Sequence, residues 1–331
     1  MTVTICESSD HGHRLNYVGY FQREAALLGK ASRVEPSLTR ALLAPGPLVL
    51  PMLEQRTVAN LLVMALRSIF GRKTLCLVFR ATQAAGGDDA RLAFKRVLLS
   101  AVRRMPGGGL VSIVPVPVEP AIAQMVNGWI YDPELCDIAA DDFSRTPSAE
   151  VASYGKQAAG RAIVVALGRQ AGGKGFDFFS DLWTSSDDLR RRFLFIAAGT
   201  VPAELSAHAE RFTAAGGVLV NRRISDEELL DFYAIADGVW CCYAPDYDQA
   251  SGIFGRAVQF AKMAVVRRGS HLERFAQVLE HPAESIGWGD LAGAAQALLA
   301  AESSARIERP RGVRNADMNR VNRAVLARYL A

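Results

Sequence analysis

At 331 residues the chain is long enough for two domains of ordinary size. Half of its residues are hydrophobic and 22% are charged, the balance of a soluble globular enzyme rather than a disordered or fibrous chain. The formal charge of +4 is too mild to mark a nucleic-acid binder, and no RNA- or DNA-binding motif accompanies it. The cysteines, Cys6, Cys76, Cys136, Cys241 and Cys242, form no C-x-x-C pair and read as buried thiols of a reducing compartment. The start, MTVTICESSDHGHR, lacks the basic-then-apolar order of a signal peptide, and no apolar run is long enough to span a bilayer. The expected location is the cytoplasm, with the inner face of the membrane as a candidate peripheral site.

In chain order, VTIC (residues 3–6) reads as a strand, followed by a polar turn and the helix NYVGYFQREAALLG. Strand-like runs recur at PLVLPML (47–53), KTLCLVFRA (73–81), LVSIVPV (110–116) and WIYD (129–132). The helical stretches TVANLLVMALRSIF and DARLAFKRVLLSAVRRM separate them. The stretch from Ile138 to Arg161 is rich in Ala, Ser, Asp and Gly without a strong apolar period, and reads as a linker. Alternation then resumes with AIVVALG (162–168), FLFIAAG (193–199), GVLVN (217–221), GVWCCY (238–243) and MAVVRR (263–268). Within it, Ser225 and Glu228 spell a capping box at the start of SDEELLDFYAIAD. The pattern predicts an α/β chain of two Rossmann-like domains with parallel sheets facing a cleft. The expected boundaries are 1–150, 151–312 and a last helix, 313–331. That helix follows the irregular ERPRGVRN and carries an apolar face at Met318, Val321, Val325, Leu326 and Tyr329.

Chemistry concentrates in ALGRQAGGKGFDFF, residues 166–179. A buried strand, a glycine-rich turn and a helix follow one another, and the turn carries Gly168, Arg169 and Lys174. The first N–H groups of a helix and the positive end of its dipole attract anions, phosphate above all. Glycines let backbone approach such a ligand. The plainer alternative is a surface turn with two solvated charges.

Two stretches, GRQAGGKG (168–175) and the run from Ile224 to Ser270, together resemble retaining nucleotide-sugar glycosyltransferases of the GT-B fold, family 4 type. The resemblance covers about residues 160–275 and reaches the first half only through architecture. It implies that Arg169 and Lys174 hold the donor diphosphate. In that family a glutamate, a glycine-led helix and a second glutamate eight residues on follow; here Gln249 and Ala257 stand at those places. Gln249 can still donate and accept hydrogen bonds to a sugar, whereas Ala257 cannot meet a ribose. Ser251, Gly252 and Ile253 would present backbone N–H groups to phosphate and sugar. The last helix would cross back onto the first domain.

The resemblance further implies a UDP- or GDP-linked sugar as donor, a glycan or lipid-linked acceptor, retention of configuration, and a role in polysaccharide or surface-glycan synthesis. No cofactor is expected. Fixed cations can stabilise the leaving diphosphate without a metal. Asp246 and Asp248 have the spacing of a metal pair but read first as a turn. In the first half, Gly12 is a candidate donor contact, His13 and its neighbour His11 are candidate polar contacts or bases, and Asp132 is a candidate acceptor contact. Each has a plainer reading, as a solvated loop or a capped strand end. The basic, amphipathic segment 89–104 is a candidate contact for an anionic membrane surface or simply a helix covering a sheet. A nucleotide-sugar epimerase would need acid/base carboxylates and histidines clustered around Arg169, which the sequence does not display. A non-catalytic donor- or partner-binding relative remains an alternative, because of Gln249 and Ala257.

Overall fold

A computed structural model of the chain describes residues 1–8, 14–86 and 89–331. It parts into two compact units, residues 1–133 with 316–331, and residues 134–315. In the first unit the order is β1 (Thr2–Ile5), α1 (Arg14–Leu27), β2 (Ala31–Val34), α2 (Leu38–Leu43), β3 (Leu48–Leu50), α3 (Thr57–Ile69), β4 (Thr74–Val78), α4 (Ala81–Gly86), α5 (Ala90–Val102), β5 (Gly108–Ser112) and β6 (Gly128–Trp129). Among the described residues these strands form one six-stranded sheet, β2-β1-β3-β4-β5-β6, with every ladder parallel. The central strands β3, β4 and β5 are buried along their whole length, as helices on both faces require. The edge strand β2, ASRV, is largely exposed, so it carries no apolar run and the sequence did not announce it.

Helix α3 seats this sheet. Its buried side includes Leu61, Val63 and Met64, but also Arg67, which is fully buried. The Arg67 guanidinium donates to the carbonyls of Leu42 (3.0 Å), Ala44 (2.7 Å) and Gly46, and to Thr74 Oγ1 (2.9 Å). It thus closes the turn that leads into β3. Five outward positions of α3 and its end, Val58, Leu62, Leu66, Ile69 and Phe70, are exposed and apolar.

The second unit runs α6 (Ala149–Ala158), β7 (Ala162–Leu167), α7 (Phe176–Ser185), α8 (Asp187–Arg192), β8 (Phe193–Ala198), α9 (Ser206–Ala214), β9 (Val218–Val220), α10 (Asp226–Ile235), β10 (Gly238–Cys241), α11 (Gly252–Gln259), β11 (Met263–Arg267), α12 (His271–Val278), β12 (Ala283–Ile286) and α13 (Leu291–Ala305). Its six-stranded sheet, again among the described residues, is ordered β12-β11-β10-β7-β8-β9 and is wholly parallel. Strand order reverses between β7 and β10, the switch point at which open parallel sheets leave a crevice beyond their carboxyl ends. Aromatic packing fills one face: Phe179 stacks on Phe195 at 4.7 Å, and Trp183 on Phe195 at 5.1 Å. The Ser225/Glu228 capping box forms at α10.

Two boundaries differ from the sequence expectation. The units part at Pro133/Glu134 rather than near residue 150, and the supposed linker 138–161 contains α6. Ser148 caps that helix by accepting from Val151 N–H. Only Val151 and Ala158 of α6 are buried, so its apolar period is too thin to read.

The last helix, α14 (Asn315–Leu330), belongs to the first unit from Ala316 onward. Asn322 is fully buried and pairs with Tyr131 as a neighbouring strand would. Its Oδ1 accepts from Tyr131 N–H (2.7 Å), and its Nδ2 donates to Tyr131 C=O (2.9 Å). Arg323 grips the buried Glu24 through two nitrogens, at 2.9 and 3.2 Å. The Tyr329 ring lies over Gly109, where any side chain would collide with it. Among the described residues, no helix is long and apolar enough to cross a membrane.

Candidate functional site

The loop after β7 is built around close backbone approaches. Gly168 has φ +82°, and its N–H donates to Ala198 C=O at 2.9 Å. Gly199, facing it, has φ +137°, and a Cβ there would overlap Gly168 C=O. Gln170 is buried beneath this turn. Its Nε2 donates to the carbonyls of Ala166 (3.0 Å) and Gly168 (2.8 Å). That amide locks the loop from below and leaves Arg169 exposed above it. Sequence reasoning passed over Gln170, a polar residue between two glycine signals.

The loop then makes a single helical turn, Gly172–Lys174, and enters α7 through Gly175 at φ +74°. A Cβ on Gly175 would overlap Cys242 C=O at the end of β10. Ala244 N–H donates to Gly173 C=O at 3.0 Å, and the Tyr247 ring covers Gly173. The loops after β7 and β10 are therefore clamped together at the switch point. A Cβ built on Gly168 would stand 3.4 Å from Lys174 Nζ and 3.9 Å from Ile253 Cδ1, which places all three residues together.

Lys174 is half-buried, and neither it nor Arg169 makes an ion pair or side-chain hydrogen bond among the described residues. Burial pulls the Lys174 ammonium below the usual lysine range, and the charges of Cys241 and Glu134 oppose that pull. Burial pushes the Cys241 thiol up to about 12, so at neutral pH Glu134 is the anion that acts. A half-buried cation without a hydrogen-bonded partner is costly unless an anion arrives.

Beside it, α11 begins. Ser251 Oγ accepts from Phe254 N–H (3.3 Å) and shares a 2.7 Å hydrogen bond with Tyr243 Oη. The Ser251 hydroxyl is thereby spent on the cap, and the N–H groups of the first turn, around Gly252 and Ile253, remain the feature offered to a ligand. The Glu134 carboxylate lies against this end, so that a Cβ on Gly252 would overlap it. Its turn is docked along α11. A Cβ on Gly255 would come 2.7 Å from Glu134 C=O, Gln259 Nε2 donates to that carbonyl (2.8 Å) and to Asp137 (2.9 Å), and Arg256 lies 3.6 Å from Asp137. The sequence signal for this neighbour was present, in Gly252 and Gly255 one helical turn apart, and was not used.

Gln249 is half-exposed in the loop before the cap, whereas Ala257 is fully buried and faces no ligand. Arg256, one residue earlier, is largely buried and faces the Asp137 carboxylate at 3.6 Å. Asp248 is engaged in structure. It accepts from His271 N–H (2.9 Å) and pairs with Arg267 (3.2 Å). In the first unit Asp132 is buried and accepts from Tyr17 Oη at 2.7 Å. Gly12, His11 and His13 lie outside the described residues.

No family model and no curated protein sequence matches the chain. Solved structures do. Sucrose-phosphate synthase from Thermosynechococcus elongatus superposes with a TM-score of 0.63 at 14% identity, over 99% of each chain. Anabaena HepE, in complex with UDP and glucose, gives 0.58 at 12% identity over 98% of this chain and 99% of that one. A UDP-forming α,α-trehalose-phosphate synthase from Burkholderia xenovorans gives 0.56 at 14%, over 97% and 80%. The chain has the GT-B fold. In GT-B terms, the clamped loops, Lys174 and the start of α11 sit at the switch point of the second sheet. The identities are too low to carry more than the fold.

Proposed function

We propose that the chain is a glycosyltransferase that takes a sugar from a UDP- or GDP-linked donor. The second unit would hold the donor and the first the acceptor, a glycan or a lipid-linked glycan, in polysaccharide or surface-glycan synthesis. One observation supports this above the others. A half-buried lysine meets the N-terminal end of α11 at the switch point, beside a loop that carries an exposed arginine, and neither cation has a hydrogen-bonded partner among the described residues.

The chemistry follows from charge. Breaking the bond between sugar and nucleotide leaves negative charge on the diphosphate, and cations already in place lower that barrier. Arg169 would span two phosphate oxygens with its planar fork, and Lys174 would act as a point charge. The N–H groups of the first turn of α11 would complete the cradle. With three sources of positive charge, transfer would proceed without a metal ion. The resemblance to family 4 supports retention of configuration. HepE, which shares the fold, was solved with UDP and glucose.

The test is turnover of UDP- and GDP-sugars by Arg169→Ala and Lys174→Ala variants. Each should cost about 3–4 kcal/mol of transition-state stabilisation, on the order of a hundred- to a thousandfold in rate. A variant that turns over like the wild type removes that residue from the proposal. The buried Ala257 and the Glu134 carboxylate on α11 favour a second reading, a non-catalytic donor-binding relative. Release of free sugar from the donor without an added acceptor would rule it out.

A further inference from the structure

We infer that the outward face of α3 and α5 in the first unit is a docking surface for an anionic lipid bilayer. On α3 and at its end, Leu62, Leu66, Ile69 and Phe70 are 43–77% exposed; on α5, Phe94 and Val97 are 61% and 66% exposed. The two helices pack side by side against the sheet, so their outward faces adjoin. Surface helices of a soluble domain carry polar residues at such positions. Exposed apolar side chains gathered on two touching helices mark a contact site.

Charge identifies the partner. Of the ten Lys and Arg from Leu53 to Pro106, Arg67 is fully buried and Lys95, Arg96 and Arg103 are engaged within the fold, so others carry the surface charge. Arg56, Lys73, Arg91 and Arg104 stay exposed in this segment. A second copy docking here through the same face would set these exposed cations against their own counterparts, which opposes association. An anionic headgroup layer answers both properties. The apolar side chains enter the headgroup boundary and the cations meet lipid phosphates.

The surface differs from the one expected of segment 89–104 alone. Lys95 pairs with Glu54 at 3.1 Å, Arg96 donates to Ala84 C=O at 3.0 Å, and Arg103 donates to Ala123 C=O at 2.6 Å. Three of that helix's five cations thus serve the fold, and α3 supplies most of the apolar stripe. The inference needs no donor and no turnover, so it stands or falls apart from the transferase proposal.

The experiment is flotation of the full chain with vesicles of phosphatidylcholine, with and without phosphatidylglycerol. The wild type should float with the anionic vesicles, about tenfold more than with the neutral ones, and high salt should release it. The double variant Leu62→Ser, Ile69→Ser should lose about tenfold in binding with an unchanged melting temperature, since both side chains are exposed. Arg91→Ala with Arg104→Ala should remove the preference for anionic vesicles. A wild type that stays unbound with both vesicles overturns the inference, as does a serine variant that binds like the wild type. A wild-type dimer in sedimentation that the serine variant dissociates would assign the face to a second copy instead.

Discussion

Lys174 and Glu134 define the site at the scale of single residues. Because burial pulls the Lys174 pKa down, the ammonium loses its proton at a lower pH than an ordinary lysine. A diphosphate held by that charge should therefore bind more weakly as pH rises through the alkaline range. A Kd for UDP that stays flat from neutral pH to beyond the ordinary lysine range would contradict this. Glu134 lies where an incoming anion would rest, against α11 and within electrostatic reach of Lys174. Glu134→Gln should therefore tighten nucleoside diphosphate binding by about three- to tenfold, the effect of one charge at a helix end. Unchanged affinity with a fallen kcat would place Glu134 on the sugar instead. The glycine-rich loop was legible because glycines and cations stand together in sequence. Glu134 was not, since it reaches α11 from more than a hundred residues upstream. Likewise the burial of Ala257 was not legible, since one residue of offset is about 100° around a helix and decides which position faces the core.

At the scale of elements, the clearest strands in sequence were those buried on both faces, such as β4, β7, β8 and β10. The edges β2 and β12 escaped because exposed or partly exposed positions mix polar residues into short strands. Helix α6 escaped for a related reason, having little to bury. Arg67 shows the converse, a charged residue on the inward side of α3 that helical periodicity assigns to solvent. Arg67→Leu should leave the carbonyls of Leu42, Ala44 and Gly46 without their donor, costing on the order of 3–5 kcal/mol. Denaturant unfolding checks that figure, and a loss below about 1 kcal/mol would mean that water replaces the guanidinium. Helix α14 carries an analogous buried contact. Asn322→Leu should strip the Tyr131 backbone of both partners and destabilise the first unit by about 2 kcal/mol. Hydrogen exchange at Tyr131 N–H should rise in that variant, and an unchanged rate would show that α14 adds nothing there.

At the scale of the molecule, pH should act on stability through the second unit. His271 is buried with both ring nitrogens lacking hydrogen-bond partners among the described residues, and burial pulls its pKa from 6.5 to about 4. The folded chain holds this ring neutral, so its contribution is complete above pH 6.5 and is lost as pH falls toward about 4. The loss is on the order of 3 kcal/mol. Melts between neutral pH and pH 4 should show it, and His271→Gln should flatten the slope even if it lowers the starting stability. Whatever the acceptor, donor binding would depend on one feature of the GT-B fold in this chain, the cationic crevice between β7 and β10. Calorimetric titration of the full chain with UDP and GDP, repeated on Arg169→Ala and Lys174→Ala, tests that feature most directly. At least one nucleotide should bind without added metal, and each alanine variant should lose about tenfold or more in affinity, at 1.4 kcal/mol per tenfold. Binding that both variants retain, or no binding of either nucleotide to the wild type, would contradict it.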